Sequence, residues 1–129
     1  MRLLLDTNRY SQLVANDAAV TQRLNSATAV YFSVITLGEL HQGFQMGTKR
    51  RRNEQRLREA LTLQGVQVLF LDAETAEYFG RTAAALRRAG TPIPTNDVWI
   101  AAQALQHNLA LDTRDTHFDR VRGLKRIKP

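Results

Sequence analysis

Cysteine is absent from the 129-residue sequence, and histidine and proline are scarce. Without cysteine the chain can form neither disulfide bonds nor thiolate metal sites, and three histidines argue against a histidine-rich zinc site. No apolar run approaches the roughly 18 residues that a membrane-spanning helix needs. Asp6 also comes too early for the apolar part of a secretory signal. We therefore expect a cytoplasmic protein that does not contact a membrane.

Acidic residues are in the minority, because 12 Asp and Glu stand against 18 Lys and Arg and give a net charge of +6. Fifteen of these cations are Arg, and only Lys49, Lys125 and Lys128 are Lys. Arginine presents a planar fork that pairs with phosphate or carboxylate through two hydrogen bonds. The charge balance therefore favours nucleic acid as the partner, with an acidic protein as the second alternative and an inert, solvated basic surface as the third.

The length and the hydrophobic pattern predict one α/β domain over residues 1–129. A chain of this size buries about two-thirds of its unfolded surface when it folds. Short apolar runs, which are typical of buried strands, alternate with stretches of helical spacing. Such alternation indicates βαβ units and a parallel sheet. The predicted strands cover residues 2–5, 29–32, 66–71, 109–111 and 124–127.

Four acidic residues are predicted to lie near the carboxyl ends of these strands, where open parallel sheets bind their ligands. Asp6 ends the first strand, Asp115 follows the fourth, and Glu39 lies in the helix after the second. Asp97 falls in the first turn of a helix that we expect Thr95 to cap. Taken singly, each acid also fits a structural role as a helix cap, a partner of the helix dipole, a turn residue or a solvated helix residue.

Taken together, the four acids predict a metal site. Carboxylates that lie within a few Å repel one another, and at least one pKa rises unless a cation joins them. Oxygen ligands without cysteine favour Mg²⁺ or Mn²⁺ over zinc. Such an ion can activate water and neutralise the charge of a phosphoryl group. An acidic metal site on a basic chain is therefore suited to cleaving a phosphodiester.

Four sequence motifs, in order along the chain, contain the four acids. The first is LLDTN at residues 4–8, and the second is SVITLGEL at residues 33–40 with Gly43 after it. The third combines Pro92 and Ile93 with NDVWIAA at residues 96–102. The fourth is TRDTHF at residues 113–118. Together these motifs resemble those of PIN-domain ribonucleases of the VapC toxin type. They span nearly the whole chain, so the resemblance covers one PIN domain over residues 1–129.

The resemblance implies a fold, an activity and partners. The fold would be a three-layer α/β/α sandwich around a mostly parallel five-stranded sheet. The activity would be that of a Mg²⁺- or Mn²⁺-dependent endoribonuclease that hydrolyses RNA and acts as the toxin of a VapBC-type toxin–antitoxin module. The partners would be a cognate antitoxin, operator DNA reached only through the antitoxin complex, and a second copy of the chain in a homodimer.

The resemblance also implies the site residues. The catalytic acids would be Asp6, Glu39, Asp97 and Asp115, and Asp6, Asp97 and Asp115 would hold the metal. Asn8 and Thr113 would support the site or position the substrate. From its place beside Asp115 we further predict that Arg114 contacts a substrate phosphate, whereas we expect His117 to be an ordinary histidine of a surface loop.

Three residues depart from the pattern of these ribonucleases. Arg9 stands where an apolar residue is usual, and its charge would either reach RNA or be solvated. Asp112 also stands at a usually apolar position, and with Asp119 it competes with Asp115 for the role of fourth acid.

The alternative function is a catalytically silent PIN-like binding protein that acts through an antitoxin or DNA complex, and the four intact acids argue against it.

Overall fold

Five strands, six α-helices and one 3₁₀ helix alternate along residues 1–127, the part of the chain that this computed structural model describes. Lys128 and Pro129, the end of the predicted domain, lie outside the described residues. Within residues 1–127 no helix combines the length and the apolar character needed to cross a membrane.

The strands are β1 (Arg2–Leu5), β2 (Ala29–Ser33), β3 (Val66–Leu69), β4 (Ala110–Asp112) and β5 (Arg126–Ile127). The helices are α1 (Thr7–Val14), α2 (Ala18–Ser26), α3 (Val34–Met46), α4 (Arg50–Leu61), α5 (Ala73–Arg88) and α6 (Thr95–Gln106), and the 3₁₀ helix covers Thr116–Arg120.

The sheet has the order β3-β2-β1-β4-β5, and every described pair of neighbouring strands is parallel. Strand β1 therefore lies at the centre. The chain adds β2 and β3 on one side of β1 and then returns to add β4 and β5 on the other. This reversal creates a crevice between the carboxyl ends of β1 and β4, which is where doubly wound sheets bind their ligands.

Helices cover both faces of the sheet, which confirms the predicted three-layer sandwich. Successive strand residues point to opposite faces, so Leu4 and Tyr31 pack with residues of α5 and α6. Their neighbours Leu5, Val30 and Phe32 pack on the other face with residues of α1, α2, α3 and α4. The two hydrophobic clusters thus cover the two faces of the sheet, and polar residues lie at its carboxyl edge.

Several predicted boundaries were wrong. Strand β2 extends to Ser33, β4 covers Ala110–Asp112 rather than residues 109–111, and β5 begins at Arg126 rather than at residue 124. For two other boundaries the structure gives the physical reason. The apolar run at residues 66–71 suggested a strand to Leu71, but β3 ends at Leu69, which pairs with Ser33 at the end of β2. Ser33 caps α3 by accepting a hydrogen bond from the Ile35 N–H, so β2 offers no further partner. The predicted cap Thr95 is the first residue of α6, and Pro94 takes the cap position.

A buried ion pair connects the sheet to α1 and α2. Arg9 Nε lies 3.0 Å from Asp112 Oδ1, and Arg23 Nε lies 3.0 Å from Asp112 Oδ2. Arg9 also donates to the Thr113 carbonyl at 3.1 Å. Both sequence alternatives for Arg9 were therefore wrong, because it is neither solvated nor free to reach RNA. The charges of Arg9 and Asp112 at two usually apolar positions compensate each other.

We predict that the Asp112→Val variant is less stable than wild type by about 3–5 kcal/mol, because it leaves the Arg9 guanidinium buried without its carboxylate. The double variant Arg9→Met/Asp112→Val should recover most of that loss, since apolar residues can replace a buried ion pair at little cost. Urea denaturation measures both values. The matched control is Arg23→Met/Asp112→Val, which leaves Arg9 buried and should not recover. A double variant as unstable as Asp112→Val would contradict this account.

Candidate metal centre

Asp6 occupies the centre of the crevice, directly after β1 and at the N-cap of α1. The Thr7 N–H donates to its Oδ1 at 2.9 Å, and Thr113 Oγ1 donates to its Oδ2 at 2.6 Å. Burial raises the pKa of Asp6, whereas these two hydrogen bonds oppose the rise. The charges of Glu39 and Asp115 raise the pKa further. Asp6 is thus both the helix cap and a member of an acidic cluster.

Glu39 reaches the same cluster from the first half of α3. The Thr7 hydroxyl donates to Glu39 Oε1 at 2.8 Å. Thr7 therefore connects two acids, Asp6 through its backbone and Glu39 through its side chain. Thr7 was not among the residues predicted from the sequence, although its place directly after Asp6 was the available signal.

Asp97, Asp115 and His117 form the outer part of the cluster. Asp97 lies in the first turn of α6, and Asp115 caps the 3₁₀ helix by accepting from the His117 N–H at 3.0 Å. His117 Nδ1 lies 3.2 Å from Asp97 Oδ2 and 3.0 Å from Asp115 Oδ1. One potential ligand atom from each of the three side chains falls within 4.8 Å of the others. The structure thus places His117 at the acids, unlike the expectation of an ordinary loop histidine.

The electrostatics of Asp97 show that these acids repel one another. Burial raises the pKa of Asp97 to about 6, and the charges of Asp6 and Asp115 add to this rise. The hydrogen bond and the charge of His117 oppose it. The carboxylates of Asp6 and Asp115 are therefore close enough to raise the pKa of Asp97.

The three predicted supporting residues lie in different settings. Thr113 Oγ1, which donates to Asp6, also accepts from the Asp115 N–H at 3.0 Å, so it links two acids. Asn8 lies in the first turn of α1, and its buried Oδ1 has no hydrogen-bond partner within residues 1–127. Arg114 is exposed beside Asp115.

Arginine pairing separates the acids at this edge into two groups. Asp112 is held by Arg9 and Arg23, and Asp119 pairs with Arg126. In contrast, no described Lys or Arg forms an ion pair with any of the four predicted catalytic acids. The unpaired set offers carboxylate oxygens and one imidazole nitrogen, which are donors that suit a divalent cation. The residues present therefore fit a metal centre.

The raised pKa of Asp97 predicts how metal-free stability depends on pH. Because the ordinary value of 3.8 rises to about 6 on folding, the native state binds more protons than the unfolded chain across that window. Stability should therefore fall as the pH rises from about 4 to about 6. We expect the Asp97→Asn variant to lack this component and to melt above wild type at neutral pH.

Thermal melting in a chelator, followed by circular dichroism across that pH range, compares the two proteins. Asp17→Asn, which changes a helix cap far from the cluster in sequence, controls for the loss of any one carboxylate. Parallel pH curves for wild type and Asp97→Asn would show that Asp97 does not titrate as described.

Comparisons with known proteins agree with this geometry. The sequence matches the PIN domain family over residues 3–124. Ribonuclease VapC1 of Haemophilus influenzae strain R2866 is 34% identical over 118 residues, which cover 91% of this chain and 78% of that protein. A DNA-bound VapBC structure from Salmonella typhimurium aligns with a TM-score of 0.89 at 27% identity, covering 99% of this chain and 98% of that one. VapBC-1 from nontypeable Haemophilus influenzae aligns with a TM-score of 0.87 at 25% identity, with the same coverage. The resemblance seen in the four motifs is confirmed, and the chain belongs to the PIN domain family.

Proposed function

We propose that this protein is a metal-dependent endoribonuclease that acts as the toxin of a VapBC-type toxin–antitoxin module. The observation that carries the proposal is the cluster of Asp6, Glu39, Asp97 and Asp115, none of which pairs with a described Lys or Arg. The name of the relative Ribonuclease VapC1 supports RNA as the substrate. Residues 1–129 would form one PIN domain.

The metal ligands in this proposal are Asp6, Asp97 and Asp115. Mg²⁺ or Mn²⁺ at these carboxylates would supply charge neutralisation and a more acidic water for phosphodiester hydrolysis. His117 Nδ1, which lies between Asp97 and Asp115, is a further donor that the sequence did not suggest. Together these side chains provide the oxygen-rich set that either ion prefers.

The remaining polar residues would orient the reacting groups. Thr7 holds one carboxylate oxygen of Glu39 and leaves Oε2 available to accept a proton from the attacking water. Thr113 fixes the orientation of Asp6 through its hydroxyl. The exposed Arg114 would contact a phosphate of the RNA, and Asn8 would support the site from the first turn of α1. The products would carry a 3′-hydroxyl and a 5′-phosphate.

The proposed partners follow from the related structures. Two of the related structures are VapBC assemblies, one of them bound to DNA. We therefore propose a cognate antitoxin as the partner of this chain, with operator DNA contacted only through that complex. A homodimer would bring two acidic clusters to one RNA-binding groove. An RNA substrate implies action in the cytoplasm.

Co-expression with the product of the adjacent upstream gene tests the proposed antitoxin. Growth of the host cells should be inhibited only when that product is absent.

We predict that Asp6→Asn and Asp97→Asn each reduce RNA cleavage in Mg²⁺ by roughly 100-fold or more, because losing a ligand removes several kcal/mol of transition-state stabilisation. The same variants should lose the rise in melting temperature that Mg²⁺ or Mn²⁺ gives to wild type. Mapping of RNA ends and thermal melting measure the two effects.

Asp119→Asn is the matched control, because Asp119 is a nearby acid that pairs with Arg126. It should retain both cleavage and the response to metal. If Asp6→Asn and Asp97→Asn cut RNA as well as wild type does, the site is wrong. If wild type binds the metal but cleaves no RNA, the catalytically silent binding protein is the better description.

A further inference from the structure

A second polar feature lies beside the acidic cluster, where α5 faces the end of the 3₁₀ helix. It is a cleft of about 680 Å³. One face of α5 provides Tyr78, Arg81 and Arg88, and the opposite wall provides Arg120 and Arg122. We call this feature the arginine cleft. Its floor consists of apolar or small residues, among them Leu86 and Val121, which are buried.

The arginine cleft is a concentrated positive charge. Its lining contains four arginines and no acidic residue. All four arginines are exposed, and none forms an ion pair with a residue in the described range 1–127. The guanidinium of Arg81 lies over the Tyr78 ring at 4.6 Å from its centroid, which is a cation–π contact. Four arginines that line one cleft without an acidic residue among them favour a polyanion as its ligand.

The 3₁₀ helix connects the cleft directly to the acidic cluster. Asp115 caps this helix, His117 lies in it, and Arg120 is its last residue. At about 2 Å per residue, the helix separates Asp115 from Arg120 by roughly 10 Å. Arg120 also donates to the carbonyl of Pro92, in the loop that leads into α6 and Asp97. An RNA strand that runs from the acidic cluster along this helix would therefore reach the cleft after a short distance.

We propose that the arginine cleft binds the phosphate backbone of single-stranded RNA as it leaves the acidic cluster. This inference rests on the proposed ribonuclease function and deepens it. The presence of Tyr78 and Arg81 in its lining favours a single strand, because unpaired bases stack on aromatic rings and guanidinium planes. A second copy of the chain is a poor occupant, since a two-fold interface centred on the cleft would place arginines against arginines.

The test compares two double variants that remove the same charge. Arg88→Gln/Arg122→Gln alters the cleft, whereas Arg58→Gln/Arg87→Gln alters exposed residues that do not line it. Arg87 is the neighbour of Arg88 on α5, which makes the control close. The probe is a fluorescein-labelled oligoribonucleotide of about 16 nucleotides in a chelator, so that binding is measured without cleavage.

We expect the cleft variant to bind this RNA about tenfold more weakly than wild type at about 0.15 M salt. Its plot of log K against log salt should be shallower by about 1.4, because each lost phosphate contact contributes about 0.7 for a single strand. In Mg²⁺ the KM for cleavage should rise while kcat stays unchanged. The control variant should match wild type, and equal melting temperatures would show that all proteins are folded.

Equal losses of RNA binding in the two double variants would overturn the proposal, because net charge alone would then explain them. Normal RNA binding by the cleft variant with a lost antitoxin complex would also overturn it and would assign the cleft to an acidic protein. A wild-type protein that cleaves no RNA would contradict the proposed function instead, and a tenfold difference in binding between the variants would still support the cleft.

Discussion

Mutual repulsion among carboxylates at the carboxyl edge of the sheet is the constraint around which this structure is built. The central strand delivers Asp6 into the crevice between β1 and β4, where burial and the nearby charges of Glu39 and Asp115 raise its pKa. Burial and the charges of Asp6 and Asp115 likewise raise the pKa of Asp97. Hydrogen bonds from Thr113 and Thr7 and the imidazole of His117 hold the cluster together without neutralising it. The fold thus retains a site whose electrostatic cost falls when a cation binds.

The neighbouring Asp112 differs from the four clustered acids, because arginines neutralise its charge. Asp112 is fully buried at the same edge, yet Arg9 and Arg23 neutralise it from α1 and α2. Arg9 also holds the carbonyl of Thr113, the residue whose hydroxyl orients Asp6. The chain therefore uses arginines to secure the backbone behind the acids, and in the described structure it keeps them away from the acids themselves. The arginine cleft places further positive charge beside the cluster rather than inside it.

Much of this arrangement could be predicted from the sequence, because it depends on local patterns. Apolar runs indicated the five strands, and the rule for parallel sheets identified the edge that carries Asp6 and Asp115. The contacts of Arg9 with Asp112 and of His117 with Asp97 could not be predicted. Arg9 and Asp112 are 103 residues apart in the sequence, and His117 and Asp97 are 20 residues apart. A single sequence does not show which distant side chains meet. The boundary at Leu69 was missed for a related reason, since it depends on where the partner strand β2 ends.

Anomalous X-ray scattering from crystals of the full chain grown with Mn²⁺, at a pH above the pKa of Asp97, would show directly whether the acidic cluster binds a metal ion. We expect a manganese peak about 2 Å from carboxylate oxygens of Asp97 and Asp115, with Asp6 bound directly or through water. The contradictory result is manganese elsewhere in the crystal and none at this cluster, with its carboxylates paired to Lys or Arg side chains instead.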